Sequence, residues 1–152
     1  MSDSIEDLKR EGKLRDQKVG FIQIEGLLKD AVIDIQAAKK VLTVSERGAF
    51  ILAYQAMLKA GRALLFAQEL RPADGAQHKT VVQASGIFLG KSFVSLAQHF
   101  ETMRRKRNQL TYEYGALLSH SETLTALSDG ENWIRGIREK VKEKNPQFEL
   151  PF

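Results

Sequence analysis

Residues 93–114 read FVSLAQHFETMRRKRNQLTYEY, and they decide the fold class. Phe93, Leu96, Phe100, Met103, Arg107, Leu110 and Tyr114 recur at alternating three- and four-residue intervals, the stripe a helix presents to its neighbours. Arg107 stands in that stripe where an apolar residue is expected. It is flanked by Arg104, Arg105, Lys106 and Asn108. A guanidinium in a packing seam is either paired with an acid or put to use.

The same period extends upstream. Ile24, Leu27, Leu28, Ala31, Ile35, Ala38 and Leu42 predict a helix over 20–43. Ser45 followed by Glu46 predicts an N-cap, and a second helix then carries Phe50, Tyr54, Met57, Leu58, Gly61, Leu64 and Leu65. It should end near Leu70, because Pro72 disfavours helical geometry at Arg71. After the loop RPADGAQ, a shorter helix over 78–89 uses Val81, Val82, Ser85, Phe88 and Leu89 as contacts. Gly90 is a stop signal and Ser92 a candidate cap for the helix from 92 to 112 or 114.

Downstream, Ser119 and Glu122 have capping-box spacing. The helix they open should place Leu124, Leu127, Ile134, Ile137 and Val141 inward and end around Lys144, with Asp129-Gly130 inside it. No strand-like alternation persists. The expectation is an all-α, antiparallel bundle of four to five helices with short connections. Residues 1–18 form an arm or short helix anchored by Ile5, Leu8 and Leu14, residues 19–145 the bundle, and residues 146–152 a tail.

The chain has 152 residues, 43% hydrophobic and 28% charged, the balance of one globular domain with a real core. It has no cysteine, which excludes disulfides, thiolate metal sites and cysteine nucleophiles. No signal peptide is evident, and no apolar run approaches the roughly 18 residues of a membrane span. A cytoplasmic protein without membrane association is expected. Net charge is +4, from 23 Lys and Arg against 19 Asp and Glu. Its densest block is Arg104, Arg105, Lys106 and Arg107, which is either a solvated helix face or a site for phosphate and RNA.

Phosphate-binding glycine loops, nucleophile elbows and paired histidine ligands are absent from the sequence. His78, His99 and His120 lie far apart, so no metal site and no cofactor is called for, and His99 reads as a surface residue. On an uninterrupted helix Tyr114 would lie two turns from Arg107 on nearly the same face. Tyr112 would point roughly 140° away from Arg107. Two copies about a two-fold axis would bring both residue types to one place. Glu101 is placed four residues before Arg105, at ion-pair spacing.

The segments AYQAMLKAGRALL, HKTVVQASGIFLG and RRKRNQLTYEYGALLSHSETLTAL, in that order, resemble a HEPN domain over roughly residues 20–142. The resemblance implies an all-helical bundle that homodimerises, often encoded beside a minimal nucleotidyltransferase that serves as antitoxin. It further implies metal-independent endoribonuclease activity in toxin–antitoxin or defence systems. The family's motif is Arg, often then Asn, with His at the fifth position after the Arg. Arg107 and Asn108 match its start, whereas Tyr112 occupies the histidine position. Tyr114 matches a tyrosine that a partner nucleotidyltransferase modifies with AMP in some members.

Catalysis would thus fall to Arg107, Asn108 and Tyr112, the last with a phenol pKa of about 10 that suits a base poorly at neutral pH. His120, on the following loop, is a candidate replacement. The alternative is a non-catalytic HEPN module that binds nucleotide, RNA or a nucleotidyltransferase partner through the same cations. A third reading has Arg107 merely paired with an acid across a helical interface.

Overall fold

In the computed structural model, which describes residues 4–75 and 77–146, helices dominate as the sequence pattern requires. The elements run α1 (Ile5–Arg10), β1 (Leu14–Asp16), α2 (Phe21–Val41), α3 (Glu46–Ala67), β2 (Leu70–Pro72), α4 (Gln77–Leu89), a 3₁₀ turn (Lys91–Phe93), α5 (Val94–Tyr112) and α6 (His120–Lys144). The protein is an all-α helical bundle. The connection of only a few residues between α2 and α3 turns the chain back on itself, and these two helices form the most extensive packing interface, followed by α3 with α6.

Helix α3 is the hub. Its small residues Ala49, Ala53, Ala56, Ala60, Gly61 and Ala63 are buried, and partner helices approach it closely on several sides. By length and composition it could cross a membrane, but 67% of that apolar window is buried inside the bundle, as befits a core helix. Against it α6 sets Trp133, fully buried, whose Nε1 donates to the Met57 carbonyl at 3.1 Å. Phe100 of α5 meets the Trp133 ring edge-on at 5.0 Å between centroids and tilts against Tyr54 of α3 at 5.7 Å. These aromatic contacts join α3, α5 and α6 at the bundle centre.

Cap chemistry fixes the helix ends. The Ser45 hydroxyl accepts from Gly48 N at 2.9 Å. Ser119 and Glu122 form the complete capping box, with bonds of 3.0 and 2.9 Å. Helix α6 runs unbroken through Asp129-Gly130. Gly136 lies so close to Phe93 that a Cβ there would meet the ring at 2.4 and 2.5 Å. Gly90 ends α4 with φ at 84°, a conformation that suits glycine.

Four expectations need correction. Ser92 does not cap α5; it sits inside the 3₁₀ turn, and α5 begins after Phe93 without a side-chain cap. Leu124 is exposed, while Trp133, one turn before Ile137 on the same side of α6 and absent from the aliphatic pattern, is at the core. Two short strands are present: β1 pairs antiparallel with β2, Leu14 facing Pro72. Their pairing is local and three residues long, too short to register as alternation. It fastens the amino-terminal segment to the bundle, where Leu8 and Leu14 are buried at 1% exposure. Finally, α5 stops at Tyr112, the earlier of its two expected ends, and Glu113 is extended (φ −112°, ψ 128°), so Tyr114 does not share a helix face with Arg107; it leaves the helix and is fully exposed. The tail from residue 147 lies outside the described residues.

Candidate functional site

Successive residues of a helix point about 100° apart, so four adjacent cations cannot share a target. The structure distributes them. Arg105 turns outward and donates to Glu101 at 3.1 Å, as the spacing predicts. Lys106 reaches the opposite flank, donating to the Leu117 carbonyl at 2.9 Å and pairing with Glu122 at 3.1 Å, which pins the segment leading into α6. Arg104 and Arg107 continue the direction of Phe100 by one and two turns, toward α3 and α4. Both are half-buried.

Their surroundings contain a residue that no sequence motif marks. His78, in the first turn of α4, brings Nδ1 to 3.0 Å from the Tyr54 hydroxyl, with the rings 5.9 Å apart. Arg62 of α3 completes the cluster: its charge, with those of Arg107 and Arg104, acts on both His78 and Tyr54. Burial, reinforced by Arg107, Arg62 and Arg104, holds the His78 imidazole below its usual range and keeps it neutral. Burial pushes the Tyr54 phenol up to about 12 against the pull of the same arginines.

The proton on this pair can be placed. Among the described residues the buried Tyr54 hydroxyl has one hydrogen-bond partner, Nδ1 of His78. A buried donor left unspent is costly, so Tyr54 donates, Nδ1 accepts, and the neutral His78 carries its proton on Nε2. The ring therefore offers a donor to a ligand.

The three guanidiniums differ in pairing. Arg104 makes a two-pronged bond to Glu101, Nε and Nη2 each at 2.8 Å, and this holds the Glu101 carboxyl below its ordinary range. Arg107 has only the Asn108 side-chain oxygen at 3.4 Å and no acid among the described residues. Arg62 is likewise without an acid, and its Nε is buried with no hydrogen-bond partner. Within the cluster three cations thus face one carboxylate. The intramolecular version of a merely paired Arg107 is not what the structure contains.

Other candidate residues lie elsewhere. Tyr112 ends α5 with 77% of its surface exposed and, like Tyr114, forms no side-chain hydrogen bond among the described residues. Asn108 is half-buried beside Arg107. His120 bonds to Glu46 and so is engaged away from α4. His99 is exposed, as expected of it, and bonds to the buried Asp129 at 3.0 Å. Among the described residues no group of three or more acids and histidines could hold a metal ion.

The arrangement presents donors and positive charge without a free carboxylate, which suits an anion and above all a phosphate. His78 and Arg62 were missed because each is isolated in sequence. The available signal was the segment HKTVVQASGIFLG opening on a histidine directly after the loop, at a helix start whose dipole favours an anion. Compared with known proteins, the chain matches no protein-family model and no curated protein.

Proposed function

We propose that this chain is an RNA-targeting protein of the HEPN type, acting as the toxin component of a toxin–antitoxin or defence system. Arg62, Arg104 and Arg107 form its phosphate site. The observation that carries this reading is that Arg62 and Arg107 are half-buried and, among the described residues, have no acidic partner. Retaining such charges costs stability unless a ligand answers them. RNA supplies that answer at its phosphates, and arginine is the side chain suited to it.

In the catalytic form of the reading, two copies meet near the end of α5, where Tyr112 is exposed, and a second Arg107 joins the scissile phosphate. The 2′-hydroxyl gives its proton to water as its oxygen attacks phosphorus, the bond to the 5′-oxygen breaks and that oxygen takes a proton from water, and the guanidiniums stabilise the charge that builds on the phosphate. Structured RNA incubated with the purified protein in chelator should be cut, and Arg107→Ala should lose that cutting. Intact RNA, or equal cleavage by the variant, ends the catalytic reading.

A second reading is favoured by the proton assignment. His78 Nδ1 is occupied by Tyr54, Glu101 is occupied by Arg104 and Arg105, and Tyr112 stands exposed at the end of α5. Among the described residues of the cluster, neither the histidine nor the carboxylate is free to act as a base. The module would then hold RNA or a nucleotide without turnover, alone or with a nucleotidyltransferase partner. Tight RNA binding that survives with no cleavage over hours, and is lost in Arg107→Ala, identifies this case.

A further inference from the structure

Resting on the phosphate-binding reading of the same cluster, charge and donor count define which phosphate it takes. Arg104 is answered by Glu101, whose two oxygens are both engaged. Arg62 and Arg107 remain, two positive charges in a half-buried setting with no counter-charge among the described residues. Beside them His78 offers Nε2–H, its ring held in place by the Tyr54 hydroxyl. An internal phosphodiester carries one negative charge and would answer only one guanidinium. A phosphomonoester, with a second pKa near 6, carries close to two at neutral pH and a third terminal oxygen to receive the histidine.

We infer that the Arg62–Arg107–His78 cluster is a receptor for a terminal phosphomonoester, the phosphorylated end of an RNA strand or a mononucleotide. Each ligand element has a counterpart. One guanidinium and then the other take the oxygens that bear charge, and Nε2–H of His78 takes the remaining one. Tyr54 positions His78 and touches no ligand. Arg104 sets the positive background while Glu101 holds its side chain against α5. His78 itself lies in the first turn of α4, whose amide dipole adds to the positive field.

The experiment compares one short RNA in three forms, 5′-phosphorylated, 3′-phosphorylated and hydroxyl at both ends, with AMP and adenosine alongside, by titration calorimetry on the full chain. One phosphorylated end should bind at least about tenfold tighter than the all-hydroxyl strand, and AMP tighter than adenosine. That preference should vanish in Arg62→Ala and in Arg107→Ala. It should shrink in His78→Ala, with circular dichroism establishing that each variant is folded. Tyr54→Phe should weaken phosphate binding less than His78→Ala, since it only frees the ring to turn.

Equal binding of all three strands overturns the terminal-phosphate assignment and leaves RNA targeting standing. Binding of AMP but of no strand keeps the terminal-phosphate site and removes RNA as its ligand. Binding of none of them, or a preference that persists in both arginine variants, overturns the assignment outright.

Discussion

Helices α3 and α5 are of similar length, 22 and 19 residues, and sit against each other, yet they solve opposite problems. Twelve residues of α3 are buried, against three in α5. The first is lined with alanines and glycine, so neighbours pack closely against its backbone. The second has Phe100, Met103 and Leu110 as its buried residues and spends much of its remaining surface on charge. The site forms where the two meet: α3 contributes Tyr54 and Arg62, α5 contributes Arg104 and Arg107, and α4 inserts His78. A rigid, apolar helix thus sets the positions of polar groups that a more exposed helix supplies.

This contrast can be broken at its strongest point by Trp133→Ala. Trp133 fills the centre of the bundle and satisfies the Met57 carbonyl. Its removal leaves a cavity and takes from the Met57 carbonyl the donor it has beyond the helix ladder, at a cost of about 4 kcal/mol. That is a large part of the roughly 5–15 kcal/mol available to a domain of this kind. Urea unfolding should show the midpoint falling steeply. A shift of less than about 1 kcal/mol would mean that the α3–α6 contact is not the stabilising centre.

A smaller effect comes from acid. Because the folded state holds His78 below its ordinary value of 6.5, the unfolded chain binds more protons once the pH falls beneath that value. Stability contributed by keeping His78 neutral is complete above the unfolded value and declines as pH falls from there toward the folded one. Glu101, held below its ordinary 4.5 by Arg104, adds a second decline at lower pH, as its carboxylate gains the proton its ion pair resists. Chemical denaturation between neutral pH and pH 5 should therefore show a loss that His78→Gln reduces. An identical slope in the variant would place His78 in an ordinary solvated setting.

The bundle itself was legible because helical period, caps and the proline-bearing break are local signals. Ser45, Ser119 with Glu122, and Gly90 do what their positions predict, and α2 buries Ile24, Leu28, Ala31, Ile35 and Ala38 of its stripe while Leu27 and Leu42 stay half-buried. What escaped depends on contacts between distant segments. The β1–β2 pair joins residues more than fifty positions apart, and Trp133 lies beside Ile134 where the aliphatic pattern drew the eye. At the site, Arg107 was legible as an anomaly of the seam. Its partners were not, since His78, Arg62 and Tyr54 sit on two other helices and only packing brings them together. Tyr114 misled for a related reason: an ideal helix extended past Tyr112 gives it a face that the real chain, turning extended at Glu113, never forms.

The smallest effect on stability is the most discriminating. If Arg107 were structural, truncating it would free a buried acid and cost about 3–5 kcal/mol. No acid of the chain bonds to it among the described residues; its one hydrogen bond is the 3.4 Å contact to Asn108. Arg107→Ala should therefore move the unfolding free energy by no more than about 0.5 kcal/mol. Relief of repulsion from Arg62 and Arg104 offsets the lost packing of its methylenes. The same substitution should abolish phosphate binding. Trp133→Ala would do the reverse, lowering stability severely while any folded fraction keeps its affinity for phosphate. A variant of Arg107 that unfolds the protein would return that residue to the core side of the comparison, with a partner supplied by a second copy of the chain. One that is stable and does not bind places it with the ligand, because only a ligand then answers the charge that α5 carries into its seam.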